Sequence, residues 1–412
     1  MLSCYRVLDL TNEKGFLCGR VLADLGADVI KIERPGGDLS RSIGPFYHDM
    51  VHPEKSLYWF AFNGNKKSIT LDIERADGQE ILKKLVKTAD VLIESFEPGY
   101  MDRQGLGFSV LSQINPMIVV TSISSFGQKG PYREYKASEI VLWALSGMMY
   151  IVGDSDRPPL LSSYPHAYLF GAMKGAIGTL VALYQRGMID RGQQVDASAL
   201  MSLVGATGPE VQAPWELFRQ IVKREGRMRL RTGTGVRTPI LWRCKDGDVG
   251  FFLLLGTNFI KANTALVEWI KSEGVDSGMM GQIDWKKVGW DEITEDVACE
   301  INAVLTKFFS QHTKQELYEG AIKRGIQIVP ALTAKETREF PQLAVRDYWL
   351  KISHPELKTT ITYPGGFIKS TETACGIRHR APLIGEHNEE IYKKELGLSA
   401  EELMVLKQSG II

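Results

Sequence analysis

The stretch Val7-Leu8-Asp9-Leu10, the turn-rich Thr11 to Gly15, the helix-period segment Phe16 to Leu25, Gly26, and then Val29-Ile30-Lys31-Ile32-Glu33 decides the fold. Two apolar runs joined by a helix-length segment read as neighbouring parallel strands with a crossover helix. The pattern recurs in Ser68-Ile69-Thr70-Leu71-Asp72-Ile73, a segment with Ile81, Leu82, Leu85 and Val86 on one face, and Val91-Leu92-Ile93-Glu94. Asp77 as N-cap with Glu80 three residues later predicts a capping-box start for that helix. Met117 to Ser122 supplies another strand, and Gln193 to Ala197 a further one after two long apolar helices. The sum is a doubly wound α/β domain.

Working outward, the pattern changes between Pro209 and Leu255 to a basic run (Lys223, Arg224, Arg227, Arg229, Arg231) and short strands around Ile240 to Arg243 and Val249 to Leu255. A smaller α+β domain follows, with helices rich in Trp269, Trp285, Trp290, Phe308 and Phe309, ending near Gly325 to Pro330. The expected division is 1–225 for the first part of the large domain, 226–325 for the small domain and 326–412 for the return to the large one. Ser399 with Glu402 at N3 caps the final helix.

The 412 residues carry 49 Lys and Arg against 49 Asp and Glu, a formal charge of zero that leaves no footprint for nucleic acid or an anionic membrane. Hydrophobic residues at 44% and charged residues at 24% are ordinary for a globular enzyme. Cys4, Cys18, Cys244, Cys299 and Cys375 are scattered without C-x-x-C spacing, which points to reduced thiols and a cytoplasmic location. The apolar stretch Tyr168 to Tyr184 is interrupted by Lys174 and reads as a buried helix. Its Gly171, Gly175 and Gly178 mark close backbone packing.

The first turn lacks G-x-G-x-x-G, and no P-loop, G-x-S-x-G elbow or H-E-x-x-H occurs. The seven histidines show no metal-ligand spacing, so no metal site is expected. What remains is a set of cations beyond the strand ends: Lys14, Arg34, Arg103 and Lys136. In an open α/β sheet ligands sit outside the carboxyl ends of the strands, and four cations there suit a ligand carrying several phosphates.

The segments Val7 to Thr11, Leu22 to Asp38, Asn65 to Asp72, Ala89 to Phe96 and Ala381 to His387, in this order, resemble the family III CoA-transferases, the group that includes formyl-CoA and carnitine CoA-transferases. The resemblance implies a Rossmann-like large domain built from both chain ends, an inserted small domain and two interlocked subunits. It also implies ping-pong chemistry, in which an aspartate attacks an acyl-CoA to give a mixed anhydride and then an aspartyl-CoA thioester. By position Asn12, Glu13, Lys14, Arg34, Leu71, Ser95, Phe96, Arg103 and Lys136 match the places where the family holds CoA, with cations on phosphates and apolar walls around adenine. Coenzyme A is then a substrate, and no permanently bound cofactor is implied.

One departure changes the expectation. The family aspartate falls on Ala167, its neighbours are His166 and Tyr168, and no carboxylate occurs between Asp156 and Asp190. The acid/base pair of the family's racemase branch falls on Ser138 and Ala167, which disfavours that chemistry. A complete scaffold without the nucleophile resembles the two-subunit members that move CoA from succinyl-CoA to benzylsuccinate in anaerobic toluene degradation, where one homologous subunit carries the aspartate and the other does not. The expected partner is therefore a homologous aspartate-bearing subunit, with acyl-CoA and a carboxylic acid as substrates. Two alternatives stand beside it: a self-sufficient homodimeric transferase with Glu139 or a water as surrogate, and a CoA-thioester binding scaffold without chemistry. Tyr164, Tyr168, Phe170, Trp143 and Tyr150 are candidates to line an aryl pocket, against the plainer reading that they are core.

Overall fold

The computed structural model describes residues 1–230, 236–289 and 292–412; Arg231 and Trp290, named above, lie outside the described residues. The chain divides into two compact units, one of residues 1–146, 162–206 and 341–412, the other of 147–161 and 207–340. The smaller unit thus begins before 226, takes in a second excursion at 147–161, and runs past 325.

The first unit is built on six parallel strands in the order β3-β2-β1-β4-β5-β6. They are β1 (Arg6–Leu10), β2 (Asp28–Glu33), β3 (Lys66–Thr70), β4 (Val91–Glu94), β5 (Val119–Ser124) and β6 (Gln194–Ser198). Strand alternation assigns the two faces. Val7, Val29, Val91 and Ile93 point to one side, against α1 (Phe16–Asp24). Leu8, Leu10, Ile30 and Leu92 point to the other, against α2 (Ala76–Val86). Strand order reverses between β1 and β4, with Leu10 paired to Glu94 at their ends, so the loops after these two strands mark the switch point of the sheet, where open α/β sheets take their ligands.

Several expectations are corrected. The third strand ends at Thr70: the Leu71 N–H makes the last ladder bond, to the Glu33 carbonyl at 2.7 Å, and the Asp72 N–H turns away to the Ile411 carbonyl at 2.7 Å. Helix α2 is capped at Arg75 without a side-chain bond, so Asp77 and Glu80 form no capping box. Gly78 explains the entry: a Cβ there would lie 1.8 Å from the Asp72 carbonyl oxygen, so the first turn is set by close backbone packing. In place of two long apolar helices there is the short α3 (Glu139–Leu145) and the 24-residue α4 (His166–Ile189).

Helix α4 is long and apolar enough by composition to cross a membrane, yet one face is buried on the sheet. A Cβ on Gly171, Gly175 or Gly178 would meet Ala199, Ile123 or Val195 at 3.1, 3.0 or 2.6 Å, so the glycines serve close packing. The helix is only half-buried, however: Phe170, Met173, Ile177, Val181, Tyr184 and Met188 form an exposed apolar stripe.

The C-terminal segment is stitched back to the sheet. Arg378 donates to the carbonyls of Ala23 and Asp24 at the end of α1, and the Asn65 side chain accepts the N–H groups of Arg378 and His379. Further on, the Ser68 N–H donates to His387 Nδ1, and the Tyr392 hydroxyl donates to the Thr70 carbonyl. Ser399 and Glu402 form the expected capping box of the last helix.

The second unit has its own core, in which Trp242, Phe251, Trp269, Phe308 and Phe309 pack around an antiparallel sheet of Leu241–Cys244, Gly247–Phe251 and Ile328–Pro330. Trp285 lies in a turn, not a helix. The basic run is partly paired, Arg227 with Asp248 at 2.7 Å.

Candidate active site at the carboxyl edge of the sheet

The loops after β1 and β4 carry most of the expected binding residues, and a short polar clasp joins them. The Asn12 N–H donates to Ser95 Oγ at 2.9 Å, and that hydroxyl donates to Asn12 Oδ1 at 2.9 Å. The Lys14 N–H donates to the same Oδ1 at 3.1 Å, so one side chain sets the turn after β1. Beneath it Asp9 is buried against Lys66 Nζ at 2.8 Å, and Lys31 Nζ donates to the Thr11 carbonyl. Gly19 makes room: a Cβ there would lie 2.2 Å from Asp9 Oδ2.

The side chains at the rim differ in availability. Lys14 Nζ sits 3.7 Å from Glu97 and 5.7 Å from the centre of the Tyr168 ring. Glu13 accepts from the Ser40 hydroxyl at 2.8 Å, which ties it to the loop after β2. Arg34, Arg103 and Lys136 are exposed and, among the described residues, make no ion pair. The Phe96 ring stacks on Tyr100 with centroids 4.5 Å apart and stays half-buried. Leu71 is a correction: its side chain is 2% exposed inside the core beside Ile73 and Ile81, so it offers no wall to a ligand.

The altered position lies at the start of α4. Pro165 is the N-cap and supplies no side-chain bond, so the first turn is satisfied from another helix. Glu139 Oε1 accepts the Ala167 N–H at 2.7 Å and the Trp143 Nε1–H at 2.8 Å. The other oxygen, Oε2, is buried without a hydrogen-bond partner, as is His166 Nδ1. The Tyr168 hydroxyl donates to the Ala137 carbonyl at 3.1 Å. Burial raises the pKa of this phenol; a bond with Ser125 opposes the shift, while Glu139, Glu13 and Glu97 add to it. Tyr168 thus stands within the field of both the altered position and the loop after β1.

Of the aromatic candidates, Trp143 serves Glu139, and His166 lies among the rings of Trp143, Tyr164 and Phe170 at 5.7 to 6.2 Å. Tyr150 belongs to the other unit. Ser138 is the exposed N-cap of α3. The sequence reading missed Glu94, which is buried at the end of β4 and accepts the Phe96 N–H at 2.7 Å. Burial is the main cause that pushes its pKa up to about 7, against the bonds from Ser122 and the Phe96 N–H. The only signal in the sequence was a carboxylate closing an apolar strand.

Comparison with known proteins gives a consistent picture. The profile of CoA-transferase family III matches residues 2–388. The chain is 31% identical to the succinyl-CoA:(R)-benzylsuccinate CoA-transferase subunit BbsE of Thauera aromatica, over 100% of this chain and 98% of that one. It is also 31% identical to the formyl-CoA:oxalate CoA-transferase of Streptomyces coelicolor, over 99% of this chain and 98% of that one. The crystal structure of a CAIB/BAIF family protein from Brucella suis shares the fold, with a TM-score of 0.78 at 24% identity over 95% of this chain and 98% of that chain.

Proposed function

The chain belongs to CoA-transferase family III, and on that premise we propose that it is the nucleophile-lacking subunit of a heteromeric CoA-transferase, paired with a homologous chain that carries the aspartate. The CoA donor in this reading is succinyl-CoA and the acceptor a carboxylic acid, with benzylsuccinate of anaerobic toluene degradation as the first candidate. The relative that is a subunit of a succinyl-CoA:(R)-benzylsuccinate CoA-transferase supports that choice.

The observation that carries the reading is Ala167 together with its neighbour. Transfer through a mixed anhydride needs a carboxylate oxygen free to attack the thioester carbon. A methyl group has none, and the nearby Glu139 has one oxygen occupied by two N–H donors. What supports binding in this reading is charge: Arg34, Arg103 and Lys136 are exposed cations suited to phosphates, and the Asn12–Ser95 clasp ties the loops after β1 and β4. The exposed apolar stripe of α4 begins at Phe170, just beyond the altered position, and a contiguous surface of this kind supports burial against a second chain.

The test is succinyl-CoA to benzylsuccinate transfer by the purified chain, alone and co-expressed with an aspartate-bearing homologue. Activity in the mixed complex only is expected. Turnover by this chain alone overturns the reading, and CoA binding without turnover in either arrangement assigns a scaffold instead.

One observation favours a second reading, a self-sufficient transferase: Glu139 Oε2 is unpartnered. In that case Glu139→Gln abolishes turnover by the chain alone.

A further inference from the structure

Glu94 closes β4 with 5% of its surface exposed, on the wall of a cavity of about 210 Å³ that Glu97, Asp102, Ser122, Gln128 and Gln194 also line. Its neighbours across the sheet are neutral, Leu10 on β1 and Ser122 on β5. The charged groups that face it are all acids: Asp196 on β6, Glu97 in the loop after β4, and Asp102 on the short helix Tyr100–Arg103. Among the described residues no lysine or arginine pairs with it.

One hydrogen bond ties this carboxylate to the loop after β4. Its Oε2 accepts the Phe96 N–H at 2.7 Å, and the Phe96 ring stacks on Tyr100. Between them Ser95 holds Asn12 on the opposite loop. The conformation of residues 94–96 therefore bears on the loops after both β1 and β4.

We propose that Glu94 is a positioning residue for coenzyme A: ionised, it holds the Ser95–Phe96 turn in place through the Phe96 N–H, and on taking up one proton from solvent it releases the turn and weakens CoA binding. The inference rests on the reading that this edge binds CoA. An N–H bond to an ionised acceptor is about twice as strong as one to a neutral acceptor, which puts the expected difference in affinity at about five-fold. With burial raising the carboxyl into the neutral range, the change falls between pH 6 and pH 8.

The experiment compares wild type with Glu94→Gln, because the terminal phosphate of CoA itself titrates near pH ~6 and would blur a pH series on one protein. The first readout needs no ligand: hydrogen-exchange protection of the peptide holding Phe96, corrected for intrinsic exchange, at pH 6 and pH 8. The expected result is protection that rises with pH in wild type and stays flat in the variant. The second readout is the CoA dissociation constant, expected to be equal for the two proteins at pH 6 and about five-fold tighter for wild type at pH 8. Ser122→Ala removes a second bond to the carboxylate, and it is expected to move the wild-type midpoint to higher pH, an effect a merely structural residue does not produce.

Identical exchange in wild type and Glu94→Gln overturns the proposal. Equal CoA affinity of the two proteins at both pH values overturns it while leaving the CoA reading intact. Protection that follows pH in a chain that binds no CoA at either pH overturns the CoA reading, and the assignment to CoA falls with it.

Discussion

Glu139 Oε1 accepts the backbone N–H of Ala167 at 2.7 Å, so the carboxylate of one helix caps the first turn of the next. The contact gives Glu139 a structural task. Removing it leaves the Ala167 N–H and the Trp143 Nε1–H without their acceptor. Glu139→Ala is expected to lower stability by about 1–3 kcal/mol and Glu139→Gln by less, read from urea midpoints.

Placing a carboxylate at position 167, as the proposed function invites, has a cost. Ala167 is fully buried beside Glu139, so Ala167→Asp places a second acid where solvent does not reach. The new group's folded pKa is raised, so its stability is present below the ordinary carboxylate value and lost as pH rises through the raised one. A destabilisation of about 1–3 kcal/mol is expected at pH 8 and a smaller one at pH 5, by urea denaturation at both.

Beneath the loop after β1, Asp9 and Lys66 form a pair with no exposed side-chain surface. Burial opposes the charge on Asp9, but Lys66, Lys31 and the Thr11 hydroxyl outweigh it and hold the carboxyl below its ordinary range. Its contribution is therefore present above that range and lost as pH falls through the depressed value. Lys66→Met removes the nearest cation from the buried carboxylate and is expected to cost about 3–5 kcal/mol, read as a fall in Tm of about 5–10 degrees.

His354 is buried between the Tyr363 hydroxyl and Glu356, each at 2.9 Å. Burial lowers its pKa although Glu356 pulls the other way, and His387 is lowered for the same leading reason. His387 Nδ1 already accepts the Ser68 N–H at 3.2 Å, a bond that a proton on that nitrogen would break. Both contributions are complete above the ordinary value of about 6.5 and are lost as pH falls below it. Glu94 acts with the opposite sign over part of this window, its raised pKa favouring the folded state toward lower pH. The measurement is thus the Tm difference between wild type and His387→Asn, expected to shrink from pH 7.5 to pH 5.5.

Capping separates two similar motifs. Ser399 and Glu402 make both bonds of a capping box, so Ser399→Ala is expected to cost about 1 kcal/mol by chemical denaturation. Asp77 looks the same in sequence but lies inside the first turn of α2 without a capping bond. Asp77→Asn is expected to change stability by less than about 0.5 kcal/mol.

The contrast shows where local reading stops. Asp-x-x-Glu ahead of an apolar stripe is a local signal, but the approach of Gly78 to the Asp72 carbonyl moved the helix start and left the motif unused. The apolar runs and their order made the parallel sheet legible, because side-chain alternation and the right-handed crossover are properties of short segments. The cations beyond the strand ends were legible for the same reason, since strand direction alone puts them on one edge.

By itself, then, the sequence determined the alternation of strands and helices, the edge of the sheet beyond which Lys14, Arg34 and Arg103 fall, and the absence of a carboxylate at position 167. Tertiary structure alone decided that Leu71 is core, that Glu139 is spent on capping α4, and that Glu94 titrates near neutrality beneath the Phe96 turn. Burial and hydrogen-bond partners are set by segments far apart in the chain, and a residue's charge or exposure follows from them and not from its neighbours in sequence.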